Sequence, residues 1–188
     1  MNISPLFNGA PPLEGRQQKE ARVYAFMQEN NIPIVGVDHD TAETMEICRM
    51  IESTLGADIC KNLFLCNAQA TAFYLLLMPG NKAFKTKFLS KQINSSRLSF
   101  GSAEYMEKYL DILPGSVSIM GLINDKNKDV KLLIDKDLLE LPAIGVHPCI
   151  NTTTLKISTS DLTQKLLPAL GRELTIVDLP DPATLSGE

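Results

Sequence analysis

A chain of 188 residues with 44% hydrophobic and 21% charged residues is ordinary for a single globular domain that buries its own core. The longest apolar run, Ala72 to Met78, falls far short of the roughly 20 residues that span a bilayer, so a membrane helix is excluded. A net charge of −4 argues against a protein that coats nucleic acid with its whole surface, because such binders are basic overall.

Residues 1–15 have no basic region before an apolar stretch and close on Pro11-Pro12-Leu13-Glu14-Gly15. They read as an N-terminal lead-in rather than a signal peptide, and the expectation is a cytoplasmic protein. Arg16 to Asn30 places Ala21, Val23, Tyr24, Ala25 and Phe26-Met27 at roughly helical spacing and meets a stop at Asn30-Asn31 before Pro33, which predicts an amphipathic helix. Ile34 to Val37 reads as a short strand leading to Asp38-His39-Asp40-Thr41. His39, between two aspartates, could be a tuned general base or an ordinary turn residue. Thr44 can cap a helix that carries Ile47, Met50 and Ile51 on one face and ends near Gly56.

Cys60 to Cys66 is an apolar strand that opens on Lys61-Asn62. A lysine at a strand start is usually a solvated end. Asn67-Ala68-Gln69 then turns the chain, and Thr71 to Met78 returns as the second strand of a hairpin closed by Pro79-Gly80-Asn81. Phe84, Phe88 and Leu89 mark the core face of a short helix. Between Lys82 and Arg97 stand five cations, Lys82, Lys85, Lys87, Lys91 and Arg97, and no acidic residue. This local patch is long enough to meet a phosphate backbone, although a solvated helix face has the same pattern.

Ala103 to Leu110 predicts another short helix, broken by Leu113-Pro114-Gly115. Val117 to Ile123 reads as an apolar strand, Asn124-Asp125-Lys126-Asn127 as a turn, and Val130 to Ile134 as its antiparallel partner. Leu138-Leu139 form a helical turn. Ala143 to Val146 and the threonine-rich run from Asn151 to Ile157 are strands bracketing a His147-Pro148 loop. Ser160-Asp161 caps a helix of Leu162, Leu166, Leu167 and Leu170 that ends at Gly171, and Leu174 to Val177 is a final strand. The expected organisation is a single domain over residues 16–178 with a polar tail over 179–188. Its fold class is α+β, with a mixed, mainly antiparallel, partly closed sheet surrounded by short helices.

Four cysteines without a Cys-x-x-Cys pair, and only His39 and His147 as imidazoles, predict free buried thiols and no metal site. Neither glycine-rich nucleotide motif is present. Cys149 beside His147 could be a nucleophile pair, but packing is the simpler reading, since no third group orients them. A different chemistry uses Lys61 with Pro114-Gly115-Ser116-Val117-Ser118 and Gly145-Val146-His147-Pro148. Tight glycine loops expose backbone N–H groups that stabilise an oxyanion, and an ammonium holds a phosphate or carbonyl oxygen beside it. Ester hydrolysis of this kind needs no cofactor.

Lys61-Asn62-Leu63-Phe64-Leu65, Arg97-Leu98-Ser99-Phe100, Pro114 to Ser118, Gly121-Leu122-Ile123-Asn124-Asp125, and His147-Pro148 followed by Asn151 and Thr154 occur in an order that resembles the YbaK/prolyl-tRNA-synthetase-associated domain family. The likeness is strongest to its free-standing ProXp-ala type and runs from about Arg16 to Val177. It implies a YbaK-like fold and a trans-editing deacylase acting on mischarged Ala-tRNA(Pro). It also implies Lys61, Asn62 and Gly115 as catalytic residues, and Ser116, Val117, Ser118, Gly145, His147, Pro148, Asn151 and Thr154 as substrate-binding residues. The basic residues Lys82, Lys85, Lys87, Lys91 and Arg97 would then contact the tRNA, and the partner is tRNA in a monomeric enzyme, with docking on prolyl-tRNA synthetase left open. One departure stands out: the family's Gly-x-x-x-Pro loop, here Gly115 to Ile119, ends in isoleucine, which frees a backbone N–H and bears on amino-acid specificity. Deacylation of another small aminoacyl-tRNA, and a catalytically silent module that binds tRNA or the synthetase, are the alternatives.

Overall fold

The computed structural model describes residues 2–41 and 44–180; the predicted tail beyond residue 180 lies outside them. The lead-in contributes structure. Strand β1 (Phe7–Asn8) pairs antiparallel with β2 (Val35–Asp38), placing Phe7 opposite Gly36. Helix α1 (Gln18–Glu29) lies between them in sequence and buries Val23, Tyr24 and Met27 at the predicted spacing. Helix α2 (Met45–Leu55) starts where the Thr44 hydroxyl accepts the Ile47 N–H and stops at Gly56, whose left-handed φ of 65° suits a residue without a Cβ.

Next come β3 (Asp58–Ile59), β4 (Lys61–Asn67), β5 (Phe73–Met78), helix α3 (Thr86–Gln92), β6 (Leu98–Phe100) and helix α4 (Ala103–Leu110). A 3-10 segment (Ile119–Ile123) leads to β7 (Val130–Asp135), and a second one (Lys136–Glu140) leads to β8 (Ala143–Val146) and β9 (Thr153–Ser158). Helix α5 joins Thr159–Asp161, a π-helical stretch Leu162–Leu166 and Leu167–Leu170, ending at left-handed Gly171 before β10 (Thr175–Val177).

The strands form two five-stranded sheets, ordered β1-β2-β9-β8-β3 and β10-β7-β5-β4-β6. Pairing is mainly antiparallel, as expected, with parallel contacts at β3/β8, β5/β7 and β7/β10. Strand β5 sits third in its sheet and every one of its residues is buried, which explains why it reads as an unbroken apolar run. The main core joins Phe64, Phe73, Leu75 and Leu77 of one sheet to Ile144, Val146, Leu155 and Ile157 of the other. A second cluster, with Leu65, Leu76, Met78, Leu89 and Leu98, fills the opposite face of the β4–β5 sheet beneath α3. From β3 to β4 the chain crosses between the sheets through a single residue, Cys60, whose N–H donates to the Gly145 carbonyl.

Two expectations are corrected. Val117 to Ile123 is not a strand: the Ser118 hydroxyl accepts the Met120 N–H and starts the 3-10 segment instead, with Ile119 to Leu122 buried. A short apolar run fits a buried helical turn as well as a strand, and the capping serine decides between them. Accordingly β7 has no antiparallel partner there and lies parallel to β5 and β10.

Candidate active site

The seam at Cys60 is where the predicted site residues gather. Ile59, in β3, lies opposite Gly145 of the parallel strand β8, and the loop after β8 carries His147. There is little room for a side chain at position 145: a Cβ would lie 3.2 Å from both Ile59 Cγ1 and Thr154 Cγ2. From the other side the Gly115 loop closes over the seam, with Gly115 at φ 89°. Together Ile59, Cys60, Asn62, Gly115, Val117, Gly145, Val146 and His147 line a cavity of about 230 Å³.

Asn62 ties these parts together. Its Oδ1 accepts the Ile119 N–H at 3.0 Å, and its Nδ2 donates to the Cys60 carbonyl at 3.2 Å. The N–H released by isoleucine at position 119 is therefore spent on Asn62. Within the loop the Ser116 N–H is committed to Leu113, whereas the N–H groups of Gly115 and Val117 have no acceptor among the described residues. Both residues line the cavity, and their two donors are open to a ligand or to solvent.

His147 Nδ1 donates to the Thr153 carbonyl at 2.9 Å, so in the neutral ring Nε2 is the acceptor. Burial lowers its pKa and keeps it neutral, and the neighbouring His39 adds to the effect. His39 is itself buried, with Nδ1 donating to the Asp40 carbonyl and Nε2 accepting from the Thr154 hydroxyl at 2.8 Å. With both nitrogens engaged it acts as a support behind His147, the rings 6.2 Å apart, rather than as a general base.

Lys61 and Asn62 are adjacent on a strand and so point to opposite faces. Lys61 lines a neighbouring cavity of about 390 Å³ with Cys48, Arg49, Pro79 and Gly80, and the two cavities share Ile59 and Cys60. Its Nζ donates to the Lys82 carbonyl at 2.6 Å, and desolvation lowers its pKa below the usual 10.5. Nothing in the sequence pointed to Arg49 or Cys48. Ile59, which both cavities use, was hidden in the apolar lead to β4.

Lys82 is a correction. Only 4% exposed, it is no surface contact: its ammonium lies 2.9 Å from Asp135 and 2.8 Å from Asp137 and also donates to the Leu179 carbonyl. Burial alone would lower its pKa, but the two aspartates outweigh that and raise it. Lys85, Lys87, Lys91 and Arg97 are exposed. Among the other predicted residues, Asn151 has its amide nitrogen 3.8 Å from where a Gly115 Cβ would stand. Ser116, Ser118, Pro148 and Thr154 are buried supports. The Cys149 thiol is 2% exposed and its pKa is pushed up to about 12 by burial, which removes it as a nucleophile. A larger groove of about 710 Å³ lies around Arg16 and Asp38, but Arg16 pairs with Asp38 at 2.7 Å and with Glu20, leaving that network satisfied internally.

Comparison with known proteins adds to this geometry. Residues 39–165 match the family described as the aminoacyl-tRNA editing domain. The chain is 32% identical over 157 residues to the prolyl-tRNA editing protein ProX of Acetoanaerobium sticklandii, covering 84% of this chain and 95% of that one. It is 24% identical over 153 residues to the prolyl-tRNA synthetase associated domain-containing protein 1 of Danio rerio, covering 80% of each. The fold matches a crystal structure assigned provisionally as a trans-editing enzyme for prolyl tRNA synthetase, with a TM-score of 0.65, 15% identity, and coverage of 87% and 99%. The chain belongs to the aminoacyl-tRNA editing domain family and is an aminoacyl-tRNA deacylase.

Proposed function

We propose that the protein hydrolyses the ester of Ala-tRNA(Pro), clearing a product that prolyl-tRNA synthetase makes when alanine occupies its proline pocket. The observation that carries this reading is the cavity of about 230 Å³ at the sheet seam, lined by Asn62, His147 and by Gly115 and Val117, whose N–H groups are uncommitted among the described residues. Donors fixed before the reaction stabilise the developing oxyanion without reorganising. The His147 Nε2 lone pair offers an acceptor for the attacking water or the substrate's amino group. Lys61, on the other side of Ile59-Cys60, holds the terminal adenosine or its phosphate. The exposed Lys85, Lys87, Lys91 and Arg97 meet the acceptor stem.

Selection against Pro-tRNA(Pro) is steric. A subsite that fits a methyl group would reject the bulkier pyrrolidine ring, so that only the error is hydrolysed. The relative from Acetoanaerobium sticklandii, named as a prolyl-tRNA editing protein, supports the choice of tRNA. The test is deacylation of Ala-tRNA(Pro) beside Pro-tRNA(Pro) by the wild type and Lys61→Ala. Loss of alanine alone, slowed about 100-fold by the substitution, is the expected result; equal cleavage of both esters would overturn the size-selective pocket.

A further inference from the structure

Phe100 is 61% exposed, the most exposed large apolar side chain among the described residues. Leaving an aromatic ring in water forgoes the burial that normally stabilises it. Single exposed apolar residues are common and need no function. Phe100 is not single: its ring meets that of the half-buried Phe84, with centroids 6.2 Å apart in an edge-to-face arrangement.

Register shows where the pair lies relative to Lys61. Phe100 stands opposite Leu65 across the β4/β6 pairing. Leu65, Leu63 and Lys61 alternate onto one face of β4, so Phe100 shares that face with Lys61. Leu63 and Phe84 both pack on the cluster beneath α3, filling the space between. Four residues of strand and one step to the neighbouring strand set Lys61 and Phe100 about 14 Å apart, the length of about four nucleotides stacked at 3.4 Å. Helix α3 adjoins the pair, since the Ser90 hydroxyl accepts the Leu98 N–H at 3.2 Å. That helix and its flanks bring exposed Lys85, Lys87, Lys91 and Arg97, with no acidic residue between positions 82 and 97. An aromatic platform beside a basic helix, whose far end meets Asp178 through Gln92, has the chemistry of a single-stranded nucleic-acid site, with cations for phosphates and a ring for a base.

We propose that Phe100, backed by Phe84, is a stacking platform for an unpaired nucleotide near the 3′ end of the RNA, a few positions before the nucleotide that carries the ester. This rests on the reading of Lys61 as the group that holds the terminal nucleotide. The platform accounts for grip on the single strand, whereas the surrounding cations account for sequence-independent attraction.

The test uses two uncharged RNA hairpins of identical stem, one with a four-nucleotide unpaired 3′ end and one blunt. Phe100→Ala is expected to weaken binding of the overhanging hairpin about 10-fold, the stacking of one base, and to leave the blunt hairpin within twofold. The chain contains no tryptophan, so Phe100→Trp introduces a single tryptophan at the platform, which can be excited apart from the four tyrosines. Its fluorescence should be quenched by the overhanging hairpin and not by the blunt one. Unchanged affinity in Phe100→Ala, equal weakening toward both hairpins, or Trp emission that ignores saturating RNA would each overturn the platform; the first would leave the ring pair to a protein partner. Because the hairpins carry no amino acid, these results are independent of ester chemistry. If wild-type protein cleaves no Ala-tRNA(Pro), the substrate assignment fails while the hairpin result stands.

Discussion

Lys61 and Lys82 meet through one hydrogen bond, yet the protein treats the two ammonium groups in opposite ways. Lys82 is enclosed with two carboxylates and a carbonyl, so its charge is fully answered inside the fold. Among the described residues Lys61 has a single carbonyl acceptor; it lines a cavity, and burial lowers its pKa. A buried charge with complete compensation serves architecture, whereas one held at a cavity with partial compensation has capacity left for a ligand. The arrangement is also sequential, since the lysine that is fully paired fixes the carbonyl that orients the other.

The sharpest way to break this contrast is Lys82→Met, which leaves Asp135 buried without its cation. Removal of one partner of a buried pair costs about 3–5 kcal/mol, and urea denaturation should show a loss of that order. Lys61→Ala should do the reverse. Its stability should stay within about 0.5 kcal/mol of wild type, while the single-turnover rate on Ala-tRNA(Pro) should fall about 100-fold, the scale of a lost charge-stabilising donor. A third variant probes the shelf that joins the two lysines. A Cβ at Gly80 would lie 2.5 Å from the Ile59 carbonyl oxygen, so Gly80→Ala must shift backbone and is expected to cost about 1–3 kcal/mol by thermal unfolding.

The smallest effect is in pH. Burial holds His39 and His147 below their ordinary 6.5, so the unfolded chain takes up protons there before the folded one does. Folding stability from this source is fully present above that pH and declines as the pH falls below it, until the folded-state values are passed. Replacing His39 with Gln should flatten part of that decline. A profile equally steep in the variant would assign the dependence to carboxylates instead.

Much of this was legible in the residues. The β4–β5 hairpin, the Thr44 cap and the Ala103–Leu110 helix follow from local signals that tertiary contacts reinforce. The Val117–Ile123 segment was misread because its apolar run carries no period, and the deciding bond, from Met120 to Ser118, is a side-chain detail. Lys82 was placed with the exposed cations because its partners lie more than fifty positions away, where composition counts cannot see them. Motif order groups the cavity residues without geometry, and strand alternation divides Lys61 from Asn62 despite their adjacency in sequence.

The bond between the Ile119 N–H and Asn62 Oδ1 couples positions 62 and 119 energetically. A proline at 119 offers no hydrogen there, so it would release the amide's oxygen to face whatever occupies the cavity. Neither change can be valued alone: the effect of Ile119→Pro depends on which side chain stands at 62, and a double-mutant cycle should be strongly non-additive. A residue that does not line the pocket thereby controls which face of an amide the pocket presents.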